Sequence, residues 1–121
     1  YKKCYDKKLP VIKADKDLIR DVFLNIINNS IQAISPNGTI GIKTCTNGNF
    51  ITTEISDNGI GISEEHLEKI FKPFFSTKGY GKGTGLGLSF AERIIKEHKG
   101  KIEVTSKQEE GTKFKIFLPV I

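Results

Sequence analysis

The chain has 121 residues, 37% of them hydrophobic, which is enough for one domain with a single core. Its net charge is +5, but the lysines are scattered and no basic run alternates with stacking aromatics, so we expect no nucleic-acid binding. Cys4 and Cys45 lie too far apart in sequence to indicate a disulfide framework or a zinc site, and no apolar run approaches the ~18 residues of a membrane helix.

These features predict a single domain over residues 1–121 in a reducing, cytoplasmic compartment. The chain begins at Tyr1 and contains no methionine. We therefore expect it to be a fragment of a longer protein, whose membrane anchor, if it has one, would lie outside this sequence.

The first half of the chain predicts a helix followed by a hairpin. Isoleucines at helical spacing predict a long amphipathic helix over residues 15–35, with Asp15 as its N-cap. Alternating patterns over residues 39–46 and 50–57, around an Asn-Gly pair, predict two strands of a β-hairpin. Residues 63–72 then predict a short helix capped by Ser63.

The second half of the chain predicts a glycine-rich loop, a helix and two strands. The loop covers residues 73–84, and the helix runs over residues 85–99 until Gly100 ends it. Strands follow at 101–106 and 112–119. Because no helix separates the paired strands at either end, the pattern predicts an α+β fold: a two-layer sandwich whose mixed, mostly antiparallel sheet carries helices on one face.

A stripe of polar side chains runs along the predicted first helix, opposite its isoleucines. At about 100° per residue it comprises Asp21, Asn25, Asn28, Asn29 and Gln32. Asparagine is a poor helix former, and a merely solvated face would be expected to use Lys, Glu or Gln. Asn25 and Asn29, one turn apart, can aim two carbonyl oxygens at one point, which suits Mg²⁺. Asn29 is the metal candidate, and a plain polar surface is the alternative.

The segment after the second hairpin strand carries a candidate base-binding carboxylate. Asp57 shares its parity with Ile51 and Ile55, so it points inward if the isoleucines do. A carboxylate placed there needs a partner, and an exocyclic amine such as that of adenine would provide one. Gly59 and Gly61 would let the backbone approach a flat ring. The alternative is an Asp-Asn-Gly turn with a locally bonded aspartate.

Alternating glycines precede the second long helix, at positions 79, 81, 83, 85 and 87. The unpaired N–H groups at a helix start attract phosphate, and glycine keeps a loop mobile, as a lid must be. Lys82 is followed by Gly83 and not by Ser or Thr, so the loop is not a Walker A motif, and no triplet gives GxGxxG. A flexible linker is the alternative interpretation.

The last strand offers a hydroxyl on the same side as the candidate carboxylate. Thr112 shares its parity with Phe114, Ile116 and Leu118, so it faces inward if they do. An ordinary β-branched strand residue is the alternative.

Together these segments resemble the ATP-binding catalytic domain of sensor histidine kinases, in the wider group with DNA gyrase, mismatch-repair ATPases and an ATP-driven chaperone. The matching boxes occur in order over nearly the whole chain: the N box at 25–29, the first glycine box at 57–62, the F box at 71–75, the second glycine box at 83–87 and the last box at 111–112. The resemblance implies the Bergerat ATP-binding fold of that family.

The resemblance also implies roles for individual residues. Asp57 would bind the adenine amino group with support from Thr112, Asn29 would coordinate Mg²⁺, and Lys78 would reach the terminal phosphate from an ATP lid at 73–84. The full set of expected nucleotide-binding residues is Asn25, Asn29, Asp57, Gly59, Gly61, Ile62, Lys78, Gly83, Thr84, Gly85, Leu86, Gly87 and Thr112.

Three positions depart from the family's usual pattern. Ser30 stands where alanine is usual after the metal asparagine, and Tyr80 and Lys82 enlarge a lid that is often plainer. These departures concern the lid contacts more than the class of protein.

One position favours phosphotransfer over hydrolysis. Gyrase-like ATPases place a glutamate one turn before the metal asparagine as general base, whereas Asn25 cannot take a proton near neutral pH. Phosphoryl transfer needs mainly positioning and charge neutralisation. His66, in a first helical turn, and His98, in a last turn where a cation suits the helix dipole, are interpreted as structural.

The phosphorylated histidine is therefore expected on a separate dimerisation and phosphoacceptor domain of the parent kinase, with a response regulator downstream. We expect the fragment to be a monomer and the parent a homodimer. The alternatives are a serine kinase of the anti-sigma type, a gyrase-like ATPase, and a non-catalytic nucleotide-binding module that signals through lid closure.

Overall fold

The computed structural model describes residues 2–4, 14–46, 48–72 and 87–120, and in these residues five strands form one sheet. The strands are β1 (Lys2–Cys4), β2 (Ile40–Thr46), β3 (Phe50–Asp57), β4 (Lys101–Lys107) and β5 (Gly111–Pro119). Their spatial order is β1-β2-β3-β5-β4. β1 runs parallel to β2 and every other neighbouring pair is antiparallel, so the predicted mixed, mostly antiparallel sheet is confirmed.

Three helices accompany the sheet: α1 (Lys16–Ala33), α2 (Glu64–Leu67) and α3 (Gly87–Glu97). α1 and α3 pack against each other and against the sheet. The core lies between the two layers, and its largest fully buried apolar side chains are Ile26, Ile55, Ile95, Ile116 and Val22. Burying each of them contributes roughly 1.5–3 kcal/mol of hydrophobic free energy. The predicted two-layer α+β fold is confirmed.

The start of α1 follows the sequence prediction. Asp15 has extended backbone angles, and its Oδ1 accepts hydrogen bonds from the N–H groups of Asp17 (3.0 Å) and Leu18 (3.1 Å). Two of the helix's otherwise unpaired donors are thereby satisfied, as an N-cap requires. The helix ends at Ala33, two residues before the predicted end, because Ile34 is already extended.

The end of α3 differs in one detail from the prediction that Gly100 ends it. The residue in the left-handed conformation is Lys99, with φ of 63°, and the N–H of Gly100 reaches back to Ile95 O at 2.9 Å. This is a Schellman-type ending whose left-handed position is filled by lysine. Gly100 is required for another reason: a Cβ there would collide with the carbonyl oxygen of Phe117 on β5.

The structure differs from the sequence prediction in two elements, α2 and β1. α2 covers only residues 64–67 of the predicted 63–72. The backbone hydrogen bonds that follow span three residues and form successive turns: Lys69 N–H donates to His66 O, and Lys72 N–H donates to Lys69 O. Its predicted cap is confirmed, since Ser63 Oγ accepts from His66 N–H at 3.3 Å. β1 was missed because a strand of three residues carries too little alternation to be recognised.

Within the described residues, no helix has the length and apolar character needed to cross a membrane.

Candidate functional site

The sheet brings Asp57 and Thr112 together. They are direct register partners on the antiparallel strands β3 and β5, although 55 positions separate them in the sequence (112 minus 57). Ile51 and Ile55 on β3 are buried, and so are Phe114, Ile116 and Leu118 on β5. Thr112 is 5% exposed and Asp57 is half-buried at the strand's end. The inward parity inferred for both residues is therefore confirmed.

Asp57 also makes the local contact that was the alternative interpretation. Its Oδ1 accepts a hydrogen bond from the N–H of Gly59 at 2.9 Å, which closes an Asx-type turn. A carboxylate has two oxygens and about four lone-pair positions, so this bond uses only part of its accepting capacity. The turn fixes the orientation of the carboxylate and leaves it able to accept further donors.

The glycines of the segment 57–62 are needed for contacts within the protein. A Cβ on Gly59 would collide with the carbonyl of Ala33 at the end of α1, and a Cβ on Gly61 would collide with the carbonyl of Lys107 at the end of β4. Gly61 also has a φ of 72°, a conformation that side-chain-bearing residues rarely adopt. Both close approaches are to carbonyl groups of the protein itself, which gives these glycines a structural role in addition to the predicted approach to a flat ring.

Backbone hydrogen bonds hold the same segment from two sides. The N–H of Ile60 donates to Ala33 O at 3.0 Å, and Ile60 O accepts from the N–H of Glu109, in the turn between β4 and β5, at 2.6 Å. The segment is thus a bridge between α1 and the last hairpin. This bridge fixes where the Asp57 carboxylate stands relative to α1.

One amide of the α1 stripe, that of Asn25, lies at the start of α3. The Asn29 side chain donates from Nδ2 to the backbone oxygen of Asn25, one turn earlier, at 2.8 Å. A Cβ on Gly87 would stand 3.3 Å from Asn25 Oδ1, so the Asn25 side chain lies directly against the first residue of α3. Two segments that are far apart in the sequence, the N box and the last residue of the second glycine box, are neighbours in the structure.

The remaining predicted site residues lie outside the described residues. They are Lys78, Gly83, Thr84, Gly85 and Leu86, together with the rest of the predicted lid at 73–84.

Ser106, on β4, is a contact residue that the sequence analysis missed. Its hydroxyl lies 2.7 Å from Ile62 N, 2.8 Å from Gly111 O and 2.8 Å from Thr112 Oγ1. It therefore touches the first glycine box and the last box together. Its shared parity with Ile102 and Val104, which pack against the core, was the sequence signal that could have found it.

An open groove of about 360 Å³ lies at this end of the sheet. All its lining residues come from β3, β4, β5 and the last hairpin turn, and they include Asp57, Ser106 and Thr112. Residues of both sheet faces line it, among them Ser56 and Lys113 of the outer face. No residue of α1 lines this groove.

The side chains that could donate oxygen atoms to a metal ion fit a metal that is shared with a bound ligand. Within the described residues, no group of three or more His, Cys, Asp or Glu side chains could hold a metal ion. Asn25 and Asn29 supply amide oxygens, which are hard donors of the type that Mg²⁺ accepts together with phosphate oxygens. These residues fit Mg²⁺ held jointly with a phosphorylated ligand and do not fit a metal site made of protein alone.

The α+β fold, with Asp57 at the end of its sheet and the Asn25 amide of α1 against the first residue of α3, has the features of a nucleotide-binding domain. The family described as "Histidine kinase-, DNA gyrase B-, and HSP90-like ATPase" matches residues 14–121. The chain belongs to this family, and within it the chain is an ATP-binding catalytic domain of the histidine kinase type.

Curated relatives and a solved structure agree with this assignment. The chain is 40% identical over 112 residues to the sensor histidine kinase ZraS of Escherichia coli (strain K12), which covers 93% of this chain and 24% of ZraS. It is 39% identical over 110 residues to sporulation kinase C of Bacillus subtilis (strain 168), and the match covers 91% of this chain and 25% of that kinase. The catalytic domain of histidine kinase ThkA superposes with a TM-score of 0.85 at 36% identity, covering 98% of this chain and 78% of that one.

The chain thus spans about a quarter of the length of these two curated relatives.

Proposed function

We propose that this chain binds Mg²⁺-ATP and transfers its terminal phosphoryl group to a histidine on a separate dimerisation and phosphoacceptor domain of a two-component sensor kinase. The observation that carries the proposal is the hydrogen bond from Ile60 N–H to Ala33 O, which ties the segment after Asp57 to α1, the helix that carries Asn25 and Asn29. Asp57 and Thr112 stand together at the end of the sheet, and Asn25 lies against Gly87 at the start of α3. The segment that follows Asp57 bonds directly to the end of α1.

The base of the nucleotide is assigned to the Asp57 end. The carboxylate is oriented by Gly59 N–H and retains accepting capacity, so it can accept from the exocyclic amine of adenine. Thr112 provides a second polar atom beside it. Gly59, Gly61 and Ile62 are the backbone along which the base would lie, held in position by Ala33 and by the last hairpin.

The phosphates are assigned to the start of α3. The first N–H groups of a helix have no internal partners and carry the positive end of the helix dipole, which suits phosphate oxygens. Gly83, Thr84, Gly85 and Leu86 lead into Gly87, the first residue of that helix. Residues 73–84 would form the ATP lid, with Lys78 directed to the terminal phosphate.

Asn29 is proposed as the residue that holds the metal. Its Nδ2 is anchored on Asn25 O, and this anchoring orients the whole amide, including Oδ1. When bound, Mg²⁺ would neutralise charge on the phosphates.

The protein's own contribution is binding and positioning. An imidazole nitrogen of the acceptor histidine attacks the γ-phosphorus, a P–N bond forms, the bond to the bridging oxygen breaks, and ADP leaves with that oxygen. Asn25 stands where a water-activating carboxylate would be required for hydrolysis and cannot act as a base. The nucleophile must therefore come from the partner, and a response regulator would take the phosphoryl group downstream.

The test is transfer of label in trans. The isolated chain is incubated with ATP labelled in its terminal phosphate, alone and with a separately produced dimerisation domain of the parent kinase. We expect acid-labile, alkali-stable label on the dimerisation domain only, and faster transfer when the two are tethered, because tethering raises their effective concentration. A dimerisation domain whose histidine is replaced should stay unlabelled.

Asp57→Asn is the matched variant of this chain. It removes a charge-assisted hydrogen bond worth ~1.5–3 kcal/mol, so ATP affinity and transfer at low ATP should fall roughly 10- to 150-fold while the fold is kept. Self-labelling of the isolated chain, or rapid release of inorganic phosphate without a partner, would contradict histidine transfer and favour a gyrase-like ATPase.

A further inference from the structure

The Ser106 hydroxyl joins three groups of the nucleotide site. Its oxygen lies 2.7 Å from Ile62 N, 2.8 Å from Gly111 O and 2.8 Å from Thr112 Oγ1. Ser106 is half-buried on β4, where it is the register partner of Thr112 on β5. Thr112 in turn is the register partner of Asp57 on β3. The three side chains therefore form a row across the end of the sheet.

The hydrogens of this row can be assigned by counting donors. A serine hydroxyl has one proton and two lone pairs. Ile62 N–H can only donate and Gly111 C=O can only accept, so the single proton of Ser106 goes to Gly111 O. The contact with Thr112 is then a hydrogen bond only if Thr112 is the donor. The Thr112 proton is directed at Ser106, and Thr112 Oγ1 offers its other neighbours only lone pairs.

We infer that Ser106 is a positioning residue that sets base selectivity by fixing the direction of the Thr112 proton; the inference rests on the proposed adenine position at Asp57. A carboxylate has no proton to donate, and Thr112 as oriented by Ser106 has none either. Both side chains therefore present acceptors at this end of the sheet. A ring amino group is favoured there, and a ring carbonyl meets two acceptors and is disfavoured.

The test compares ATP with inosine triphosphate, which carries a carbonyl where ATP carries the amine. Affinities of both nucleotides for the 121-residue chain are measured by calorimetry in Mg²⁺, for the unaltered protein and for Ser106→Ala. Once Ser106 is removed, the Thr112 hydroxyl can turn and donate to a carbonyl. We expect the preference for ATP over inosine triphosphate to fall about tenfold, the size of one hydrogen bond's contribution.

The ratio of the affinity for ATP to the affinity for inosine triphosphate separates a role in base selectivity from a purely structural role. Ser106 also anchors Ile62 N–H, so its loss should weaken both nucleotides, but a structural defect alone weakens them equally. Ser106→Thr keeps the hydroxyl and should keep the ratio. Weakened binding of both nucleotides with an unchanged ratio in Ser106→Ala would overturn the inference.

Thr112→Val provides a second test that does not depend on how Ser106→Ala folds. It removes the oriented hydroxyl, so it should reduce the ratio, and adding Ser106→Ala to it should reduce the ratio no further. An unchanged ratio in Thr112→Val, or additive losses in the double variant, would overturn the inference. Absence of phosphohistidine in the trans assay would instead contradict histidine transfer and leave these binding ratios unaffected.

Discussion

Ser30 is the buried polar residue of α1 that the surrounding structure leaves unsatisfied. It is 1% exposed, and its Oγ has no hydrogen-bond partner among the described residues. A hydroxyl removed from water without a compensating bond costs roughly 1–3 kcal/mol. The resemblance implies alanine at this position, and the burial of Ser30 gives a physical reason for a side chain without a hydroxyl there.

Replacing Ser30 with alanine should therefore stabilise the domain. We expect Ser30→Ala to raise the free energy of unfolding by about 1–2 kcal/mol, measured by urea denaturation with an unchanged m-value. Gln32→Ala is the matched control, because Gln32 is exposed on the same helix and should gain only a few tenths of a kcal/mol from helix propensity. A loss of stability in Ser30→Ala would show that the hydroxyl has a partner that stabilises the fold.

The residues of the site differ in how far the sequence predicted them. The inward direction of Asp57 and Thr112 followed from strand alternation, because alternation is a local property that the sheet preserves. Ser106 has the same local signal but no pattern that distinguishes it from an ordinary strand serine. Its importance comes from three partners on β5 and in the segment after β3, which only the pairing of strands brings within 2.8 Å.

At the scale of elements, the start of α1 and the end of α3 are joined by His98. The N–H of Asp15 donates to His98 Nε2 at 3.1 Å, and the ring's Nδ1 lies 2.8 Å from Ile94 O. Since Nε2 accepts, the proton must be on Nδ1, which donates to Ile94. His98 therefore has a structural role, in agreement with its interpretation from the sequence.

The cap of α1 should contribute measurably to stability. Asp15→Ala removes the oxygen that accepts from Asp17 and Leu18, so we expect a loss of about 1 kcal/mol in the free energy of unfolding. Asp15→Asn keeps an accepting oxygen and should lose only a few tenths, mainly through the weaker interaction with the helix dipole. Equal stabilities of the two variants in thermal or denaturant unfolding would contradict a capping role.

Helices and strands were predicted well where the pattern is long, and less well at their ends. The 18 residues of α1 give several turns of isoleucine spacing, whereas α2 has 4 residues and its length depends on whether bonds span three or four positions. The three-residue β1 exists because it pairs with β2. Local preference alone does not determine these short elements, since tertiary contacts stabilise them.

For the whole molecule, the proposed Mg²⁺-ATP site predicts that ligand and folding are linked. A ligand that binds only the folded chain stabilises it by ~2.7 kcal/mol at one hundred times its Kd. ATP should therefore raise the Tm of the domain, and more so with Mg²⁺ than with a chelator. Asn29→Ala should abolish most of the Mg²⁺-dependent part of this rise and retain the metal-free part, because the lost group is a metal ligand.

Asn28→Ala is the control for that experiment, since Asn28 is an exposed asparagine of the same helix that is not assigned to the metal. The Asn28→Ala variant should keep the Mg²⁺-dependent rise in Tm. If Asn29→Ala reduces the ATP-dependent rise in Tm equally with and without Mg²⁺, Asn29 acts through its hydrogen bond to Asn25 O.

The sequence by itself determined the fold class, the order of the elements from α1 to β5 and the family resemblance. These three results follow from periodicity, helix caps and glycine spacing, which are properties of short stretches of the sequence. Only the tertiary structure decided what the glycines contact, which strand residue lies beside Asp57, and which groups the Ser106 hydroxyl contacts. Gly59 and Gly61 are required by the carbonyls of Ala33 and Lys107, which lie 26 positions before and 46 positions after them in the chain (59 minus 33; 107 minus 61). Contacts over such separations depend on how strands and helices pack, and no local pattern encodes them.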